Sequence, residues 1–374
     1  MFMILYFVLG YVCAVSSASV LVADTDFSSL VKGIIYAMLL YAWFSPIFVW
    51  KMQAKNLLSP KGYTIFANIS YFMFGFAFLL SAVLIFVLLG LSLLFNTILG
   101  SVLFFFFDAG KIFDMSASII LSLTLFLSLC AVYQAKQMPK LLQYSFSDLR
   151  IKKSLKVLLI SDLHITKMTP VEKVKKWVSY FNSFKADIIL LTGDIGDDKT
   201  SDIKKQISEL KKLESVDGIY YVVGNHEVYF NPMAWESEFA SLGWQILHNS
   251  GVEVQNTGLY IAGVPDASAM SANPKQALKN SHPEQFRILL SHAPSVVCHL
   301  EKGEVDLQLS GHTHGGQLFP FNFLTRLGNK GLLAGKYNIK GTNLIISRGV
   351  GYWGPPMRLF APSDVVLINL DGKL

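Results

Sequence analysis

No acidic or basic side chain occurs in residues 63–107, a stretch of 45 positions. A water-soluble fold has no place for so long an uncharged run, whereas a lipid bilayer does. As one helix, at about 1.5 Å per residue, it would be about twice as long as a bilayer core is thick. It is therefore either one long tilted helix with an interfacial end or two crossings. Residues 1–23, 33–50 and 112–133 are further apolar runs able to cross a bilayer. They raise the 374-residue chain to 52% hydrophobic and a mean hydropathy of +0.43, while residues 136–374 read as an ordinary globular sequence. The expected organisation is a transmembrane helical domain of about four helices over residues 1–133, a basic juxtamembrane linker over 134–155, and a globular domain over 156–374. The last is long enough to bury a core of its own.

Loop charge orients the helices, because Lys and Arg favour the cytoplasmic side. Four crossings put Lys51, Lys55 and Lys61 on the same side as Lys136, Lys140, Arg150, Lys152, Lys153 and Lys156, and leave Lys32 and Lys111 opposite. Five would split the two basic clusters across the membrane. Four crossings with both termini, and so the globular domain, cytoplasmic is the expectation. Ser17-Ala18-Ser19 offers small residues for signal cleavage, but no Lys or Arg precedes the first run. Cys13, Cys130 and Cys298 give no disulfide framework, which suits a reducing compartment. The net charge of +6 is modest and the basic residues cluster beside the membrane runs, where they suit anionic lipid headgroups. No aromatic-interleaved basic stripe points to nucleic acid.

In the globular part, five apolar runs each end in hard or imidazole ligands and then a turn. Ser161-Asp162-Leu163-His164 closes the first, Thr192-Gly193-Asp194 the second, and Gly224-Asn225-His226-Glu227 the third. Ser291-His292 closes the fourth and Gly311-His312-Thr313-His314 the fifth. Residues at i and i+2 project to one side of an extended chain, so His312 and His314 can reach neighbouring ions. Sites in α/β sheets gather at strand ends, and strands sharing one sheet would bring these residues together. His248, His282 and His299 match no such pattern and are left to surface or core.

Strands are expected at 157–160, 188–191 and 220–223, separated by helices at 170–184, 201–213 and 232–242, with Thr169 capping the first. Shorter spacing follows. Residues 244–247, 252–254 and 259–264 read as strands of a second sheet, with 286–290, 307–309, 344–347 and 365–370 completing the sheets. Within the linker, residues 141–149 have the composition to lie along a membrane surface. The apolar stretch 317–324, immediately after two candidate ligands, is read as core. Exposed, it would offer a bilayer or an acyl chain something to touch.

The ordered set D-x-H, G-D, G-N-H-[DE], a lone His and G-H-x-H resembles the calcineurin-like metallophosphoesterase family, residue for residue, over residues 156–364. The resemblance implies a four-layer α/β/β/α sandwich and two divalent metal ions, manganese in preference to iron or zinc. It makes Asp194 the bridging ligand. Asp162, His164 and His314 would complete one ion, and Asn225, His292 and His312 the other. His226 would be the catalytic residue that steadies phosphoryl oxygens or protonates the leaving group, the alternative being that it only supports its turn. Glu227 is expected to orient an imidazole. Arg348 and Arg358, in the segment Ser347-Arg348-Gly349-Val350-Gly351-Tyr352-Trp353-Gly354-Pro355-Pro356-Met357-Arg358, resemble the closing motif of the membrane-associated branch, and are candidates either for substrate phosphate or for structural salt bridges.

Four crossings before a hydrolase fit a lipid-linked phosphate substrate. One family activity of that kind cleaves the pyrophosphate of UDP-2,3-diacylglucosamine to UMP and 2,3-diacylglucosamine 1-phosphate in lipid A assembly. Its soluble form has arginine after the motif asparagine, where this chain has His226. Alternatives are a membrane phosphatase or phosphodiesterase acting on another phospholipid, and an inactive membrane scaffold. A transporter is disfavoured because residues 1–23, 33–50 and 63–107 hold no charged residue and 112–133 hold one alone, Asp114 near their start.

Overall fold

The computed structural model describes residues 2–22, 28–55, 58–95, 109–267 and 270–372. They form two compact units, one made of Met1–Gln134 with Trp353–Leu359 and the other of Ala135–Tyr352 with Phe360–Leu374.

The first unit is helical: α1 Phe2–Val22, α2 Ser29–Lys55, α3 Pro60–Phe95 and α4 Ala109–Lys136. Ser29–Met52, Lys61–Val87 and Ser118–Lys136 are long and apolar enough to cross a membrane, while Val8–Val22 is a shorter apolar helix. Helix α3 is continuous, so residues 63–95 of the uncharged run form one helix, and the remainder to 107 lies outside the described residues. The packing is the reverse of a soluble bundle. Small Ala14, Ala18, Ala42 and Ala77 sit inside with Trp43 and Leu80, where small residues let helices approach closely. Ser17 and Ser81 pair at 3.0 Å and Ser45 donates to the Ser70 carbonyl at 2.7 Å, while Ile65, Ile69, Phe126 and Leu129 face outward. Buried hydroxyls and outward hydrocarbon suit a solvent that cannot hydrogen-bond.

The second unit holds two six-stranded sheets. The first runs β1-β12-β2-β3-β4-β5 and the second β10-β11-β9-β8-β7-β6. In the first sheet these are β1 Lys140–Ser147, β12 Asp364–Asp371, β2 Leu155–Ile160, β3 Ile188–Leu191, β4 Ile219–Tyr221 and β5 Gln245–Ile246. In the second they are β10 Gly335–Ile339, β11 Thr342–Ile346, β9 Leu307–Ser310, β8 Phe286–Ser291, β7 Leu259–Val264 and β6 Ser250–Val254. Alternate residues of a strand serve opposite faces, and β2 shows the consequence. Val157 and Leu159 fill the layer shared with Ile288, Leu290, Leu307 and Leu309 of the second sheet. Leu158 and Ile160 pack outward against Val174, Trp177 and Phe181 of α5 Val171–Asn182. Helices α6 Lys204–Leu210, α7 Asn225–Tyr229 and α8 Pro232–Ser241 follow on the first sheet's side, and α9 Pro274–Ala277 packs against β7. The four-layer α/β/β/α expectation is met.

Four sequence-based expectations change. Residues 140–147 are a strand, paired in parallel with β12 from Lys140↔Asp364 to Ser147↔Asp371, instead of a linker on a membrane surface; β12 supplies the partner, and it lies more than 200 positions away. Residues 245–246 join the first sheet through Tyr221↔Ile246, not the second, because β4 has a free edge there. Thr169 does not cap α5; its hydroxyl accepts the Thr166 N–H at 3.0 Å and Pro170 stands at the helix start. Of the stretch read as core, Gln317 and Leu318 are buried, but residues 321–328 form an unexpected helix, α10 Phe321–Gly328, with Phe323 and Leu324 exposed.

Candidate metal centre

Each sequence-predicted ligand sits just past the C-terminal end of a strand, where the backbone leaves its ladder and side chains are free to converge. Asp162 and His164 follow β2, Asp194 follows β3, Asn225 opens α7 after β4, His292 follows β8, and His312 and His314 follow β9. Asp162, His164, Asp194, His312 and His314 all hold φ between 45° and 71°. A non-glycine residue in that left-handed region costs of order 1–3 kcal/mol, so the surrounding fold holds these side chains inward against local preference. Two glycines make the convergence possible. A Cβ on Gly224 would stand 2.2 Å from Asp194 Oδ1, and one on Gly311 would stand 2.2 Å from Asp162 Oδ2.

The ligand atoms form overlapping groups: Asp162, His164 and His314; His164, Asp194 and His226; Asp194, His292 and His312. His164 Nε2 and His314 Nε2 face each other at 2.9 Å, and His314 Nε2 lies 3.2 Å from Asp162 Oδ1. The His292 Nδ1–H donates to the Thr192 carbonyl at 2.6 Å, which leaves its Nε2 lone pair facing Asp194 Oδ2 at 3.1 Å and Asn225 Oδ1 at 3.1 Å. His312 Nδ1 stands 3.0 Å from the same Asn225 oxygen. Asp194 Oδ2 also lies 3.7 Å from His164 Nε2, between the two sets. Imidazole lone pairs and carboxylate oxygens aimed at one another, all but buried, repel unless positive charge lies among them. This donor set fits divalent transition metals.

Without metal, protons supply part of that charge. Burial alone would raise the Asp194 pKa, but His292 and His226 outweigh it and hold the carboxyl well below its usual range. Burial would likewise lower His226; Asp197 and Asp194 overcome it and push that imidazole up to about 9. His312 goes the other way, lowered by burial and by His292 beside it.

His226 packs edge-on against His164 with ring centroids 4.6 Å apart, and its Nε2 is 3.9 Å from Asp194 Oδ2. Its Nδ1 is held by Asp197, whose other oxygen lies 3.4 Å from His164 Nδ1. Asp197 is absent from the sequence-based site. The available signal was a second acid three positions after Asp194; what places it is the isolated bridge of Ile165 with Gly196, with Asp197 N–H donating to the Ile165 carbonyl at 2.9 Å.

Glu227 orients backbone and not an imidazole. Its Oε2 accepts from Asp194 N–H at 2.9 Å and Gly224 N–H at 2.9 Å, and its Oε1 from Ile195 N–H at 2.6 Å and Gly196 N–H at 3.0 Å. One buried carboxylate thus fixes the loop that carries both Asp194 and Asp197.

The two arginines part company. Arg348 lies against the ligand turn, since a Cβ on Gly315 would meet its Cγ at 3.1 Å, and its guanidinium pairs with Asp364 at 3.0 Å. Arg358 belongs to the helical unit, fully buried, with its backbone N–H donating to the Ala131 carbonyl at 2.9 Å. Of the remaining histidines, His248 pairs with Glu236 at 2.8 Å and His299 meets Lys330 at 3.1 Å.

The calcineurin-like phosphoesterase family matches residues 155–316. An uncharacterized metallophosphoesterase of Campylobacter jejuni is 33% identical over 276 residues, 70% of each chain. One from Aquifex aeolicus is 34% identical over 59% of this chain and 86% of its own. A Bos taurus transmembrane protein with metallophosphoesterase domain is 32% identical over 58% of this chain, which spans 53% of that relative.

Proposed function

Since this chain belongs to the calcineurin-like phosphoesterase family, we propose that it is a membrane-inserted, metal-dependent phosphoester hydrolase whose centre is built from Asp162, His164, Asp194, Asn225, His292, His312 and His314. The observation that carries this is the convergence of all seven side chains from five strand ends, with Asp194 Oδ2 between the two sets. Asp162, His164 and His314 would hold one divalent ion and Asn225, His292 and His312 the other, with Asp194 shared; manganese suits the mixed oxygen and imidazole set, with iron or zinc as alternatives. Such a pair of ions supplies activated water and stabilisation of charge on the phosphoryl and leaving oxygens.

The chain's own groups do the rest. His226 presents Nε2 to the centre while Asp197 holds Nδ1, an arrangement suited to keeping a proton on the ring for a leaving oxygen or for hydrogen-bonding a phosphoryl oxygen. The four backbone N–H hydrogen bonds that Glu227 accepts keep Asp194 in place during turnover. Arg348, anchored by Asp364 beside the ligand turn, is the nearer candidate for a substrate phosphate, since an arginine fork matches phosphate geometry.

The membrane helices favour a lipid-linked phosphate over a soluble nucleotide. The specific substrate we propose is UDP-2,3-diacylglucosamine, cleaved at its pyrophosphate to UMP and 2,3-diacylglucosamine 1-phosphate, with the hydrolase unit on the cytoplasmic side of a bacterial inner membrane. The second reading is hydrolysis of another phospholipid phosphoester at the same centre. An inactive scaffold would have no use for a complete set of seven donors. Turnover of the purified full chain on the UDP-lipid, with both products identified by mass, tests the choice. UMP release supports it; phosphate release from a different phospholipid with no UMP would replace it with the second reading. A cysteine placed by Lys152→Cys, resistant to impermeant reagent in intact cells, is the expected topology result.

A further inference from the structure

Helix α10 turns its apolar side outward. Asn322 and Thr325 are half-buried, whereas Phe323, Leu324 and Leu327 are 62%, 62% and 79% exposed. The helix cannot roll to bury them. A Cβ on Gly316 would stand 2.3 Å from Asn322 Cα, so the backbone of α10 is pressed against the turn that carries His314. The patch continues off the helix: Phe319 meets Phe323 at 5.8 Å between ring centroids and Phe360 at 5.8 Å, and Phe360 is 71% exposed. A soluble surface rarely gathers large apolar side chains this way without a partner.

The charge around the patch says what the partner is. Residues 307–347 contain no Asp or Glu, yet carry Arg326, Lys330, Lys336 and Lys340. Among the described residues Arg326, Lys330 and Lys336 make no ion pair; Arg326 donates to the Gly331 carbonyl at 3.1 Å and Lys336 lies over the Phe146 ring at 4.5 Å. Apolar side chains on a helix that carries Arg326 and is followed by Lys330, with no carboxylate nearby in sequence, match a bilayer surface bearing anionic headgroups. Among the described residues the same chain carries three helices long and apolar enough to cross a membrane.

We propose that α10, with Phe319 and Phe360, lies in the headgroup layer of an anionic membrane and so holds the metal-ligand turn at the lipid surface. This contact rests on the membrane insertion proposed above and not on the identity of the phosphoester. Its test is depth-dependent quenching in the full chain, reconstituted into nanodiscs of phosphatidylcholine with or without phosphatidylglycerol, with Cys13→Ser, Cys130→Ser and Cys298→Ser as background. A fluorophore on Leu327→Cys reports α10, one on Leu123→Cys of α4 reports insertion, and one on Lys205→Cys of α6 reports a face expected to stay in water.

Lipids spin-labelled near the headgroup should quench the Leu327 probe about twofold or more in anionic discs. Quenching should fall in neutral discs, with Arg326→Gln plus Lys330→Gln, and at high salt as screening shortens, while the Lys205 probe stays bright. If Leu123 is quenched and Leu327 is not, the α10 contact is wrong while insertion stands; if neither is quenched, both are wrong. Quenching at Leu327 that appears only when a lipid phosphoester is added makes the patch an acyl-chain subsite and overturns the proposal, as does a Leu327→Cys disulfide between two copies.

Discussion

The loop carrying Asp194 and Asp197 has a single keystone, and replacing Glu227 by Gln tests it with almost no change of shape. The carboxylate accepts four backbone N–H groups, two on each oxygen. An amide keeps one acceptor end, so two N–H groups lose their partner and face an NH2 donor. Hydrogen bonds to a charged group contribute about 1.5–3 kcal/mol each, hence about 3–6 kcal/mol for two. Burial pushes the Glu227 pKa up, with Asp194 adding to the push, which means the carboxylate is itself uncomfortable there. A neutral amide relieves some of that, and a net loss of about 2–4 kcal/mol is expected. Against a total stability of about 5–15 kcal/mol the variant folds, but its loop is loosened, and metal affinity should fall by about 10–100-fold, as when other partners that orient ligands are removed. Denaturant unfolding of metal-free protein, with manganese titration calorimetry on the same samples, measures both. Stability within about 0.5 kcal/mol of wild type together with unchanged manganese affinity would refute the assignment of Glu227 as the loop's anchor.

The other expectations concern the ligands, the close approach and the charge. Asp194→Asn and His312→Ala should each lower kcat by about 1,000-fold or more while far-UV circular dichroism is retained, with bound metal measured by mass spectrometry falling in parallel; substantial activity restored by added manganese would count against the two-ion centre. Gly224→Ala would put a methyl 2.2 Å from Asp194 Oδ1, in backbone that Glu227 prevents from moving, and should cost about 1–3 kcal/mol on thermal unfolding as well as activity. In metal-free protein His226 titrates at about 9, above its ordinary value of 6.5. A raised basic pKa contributes stability fully present below about 6.5 and lost as pH climbs through about 9. The stability difference between wild type and His226→Asn should therefore shrink across that window; a difference that grows with pH would reverse the sign of the Asp197–His226 interaction.

Much of the site was readable because its chemistry is written in short local patterns. A strand that ends in Asp162-Leu163-His164 or His312-Thr313-His314 declares both its candidate ligands and the end at which they stand, and the layered sheets follow from apolar runs spaced by amphipathic helices. Asp197 was not readable. Its role depends on a bridge between residues 165 and 196, and nothing near Asp197 in sequence distinguishes it from Asp198. Glu227 reads locally as an imidazole partner for a related reason: its neighbours in the chain include an imidazole and an asparagine, but its four partners are backbone amides, three of them more than 30 positions away. Strand β1 reads locally as a linker because its pairing partner, β12, comes from the opposite end of the domain.

Sequence alone determined what is set by composition and period: a long apolar region that no watery surface can accommodate, an alternation of strands and helices, and seven candidate ligands each at the end of a run. Only the tertiary structure decided which strands are neighbours, which carboxylate holds which ring, and that α10 must turn its phenylalanine and leucines outward. These are outcomes of packing at long range, where a backbone pressed against the ligand turn leaves no other orientation, and no local preference records them.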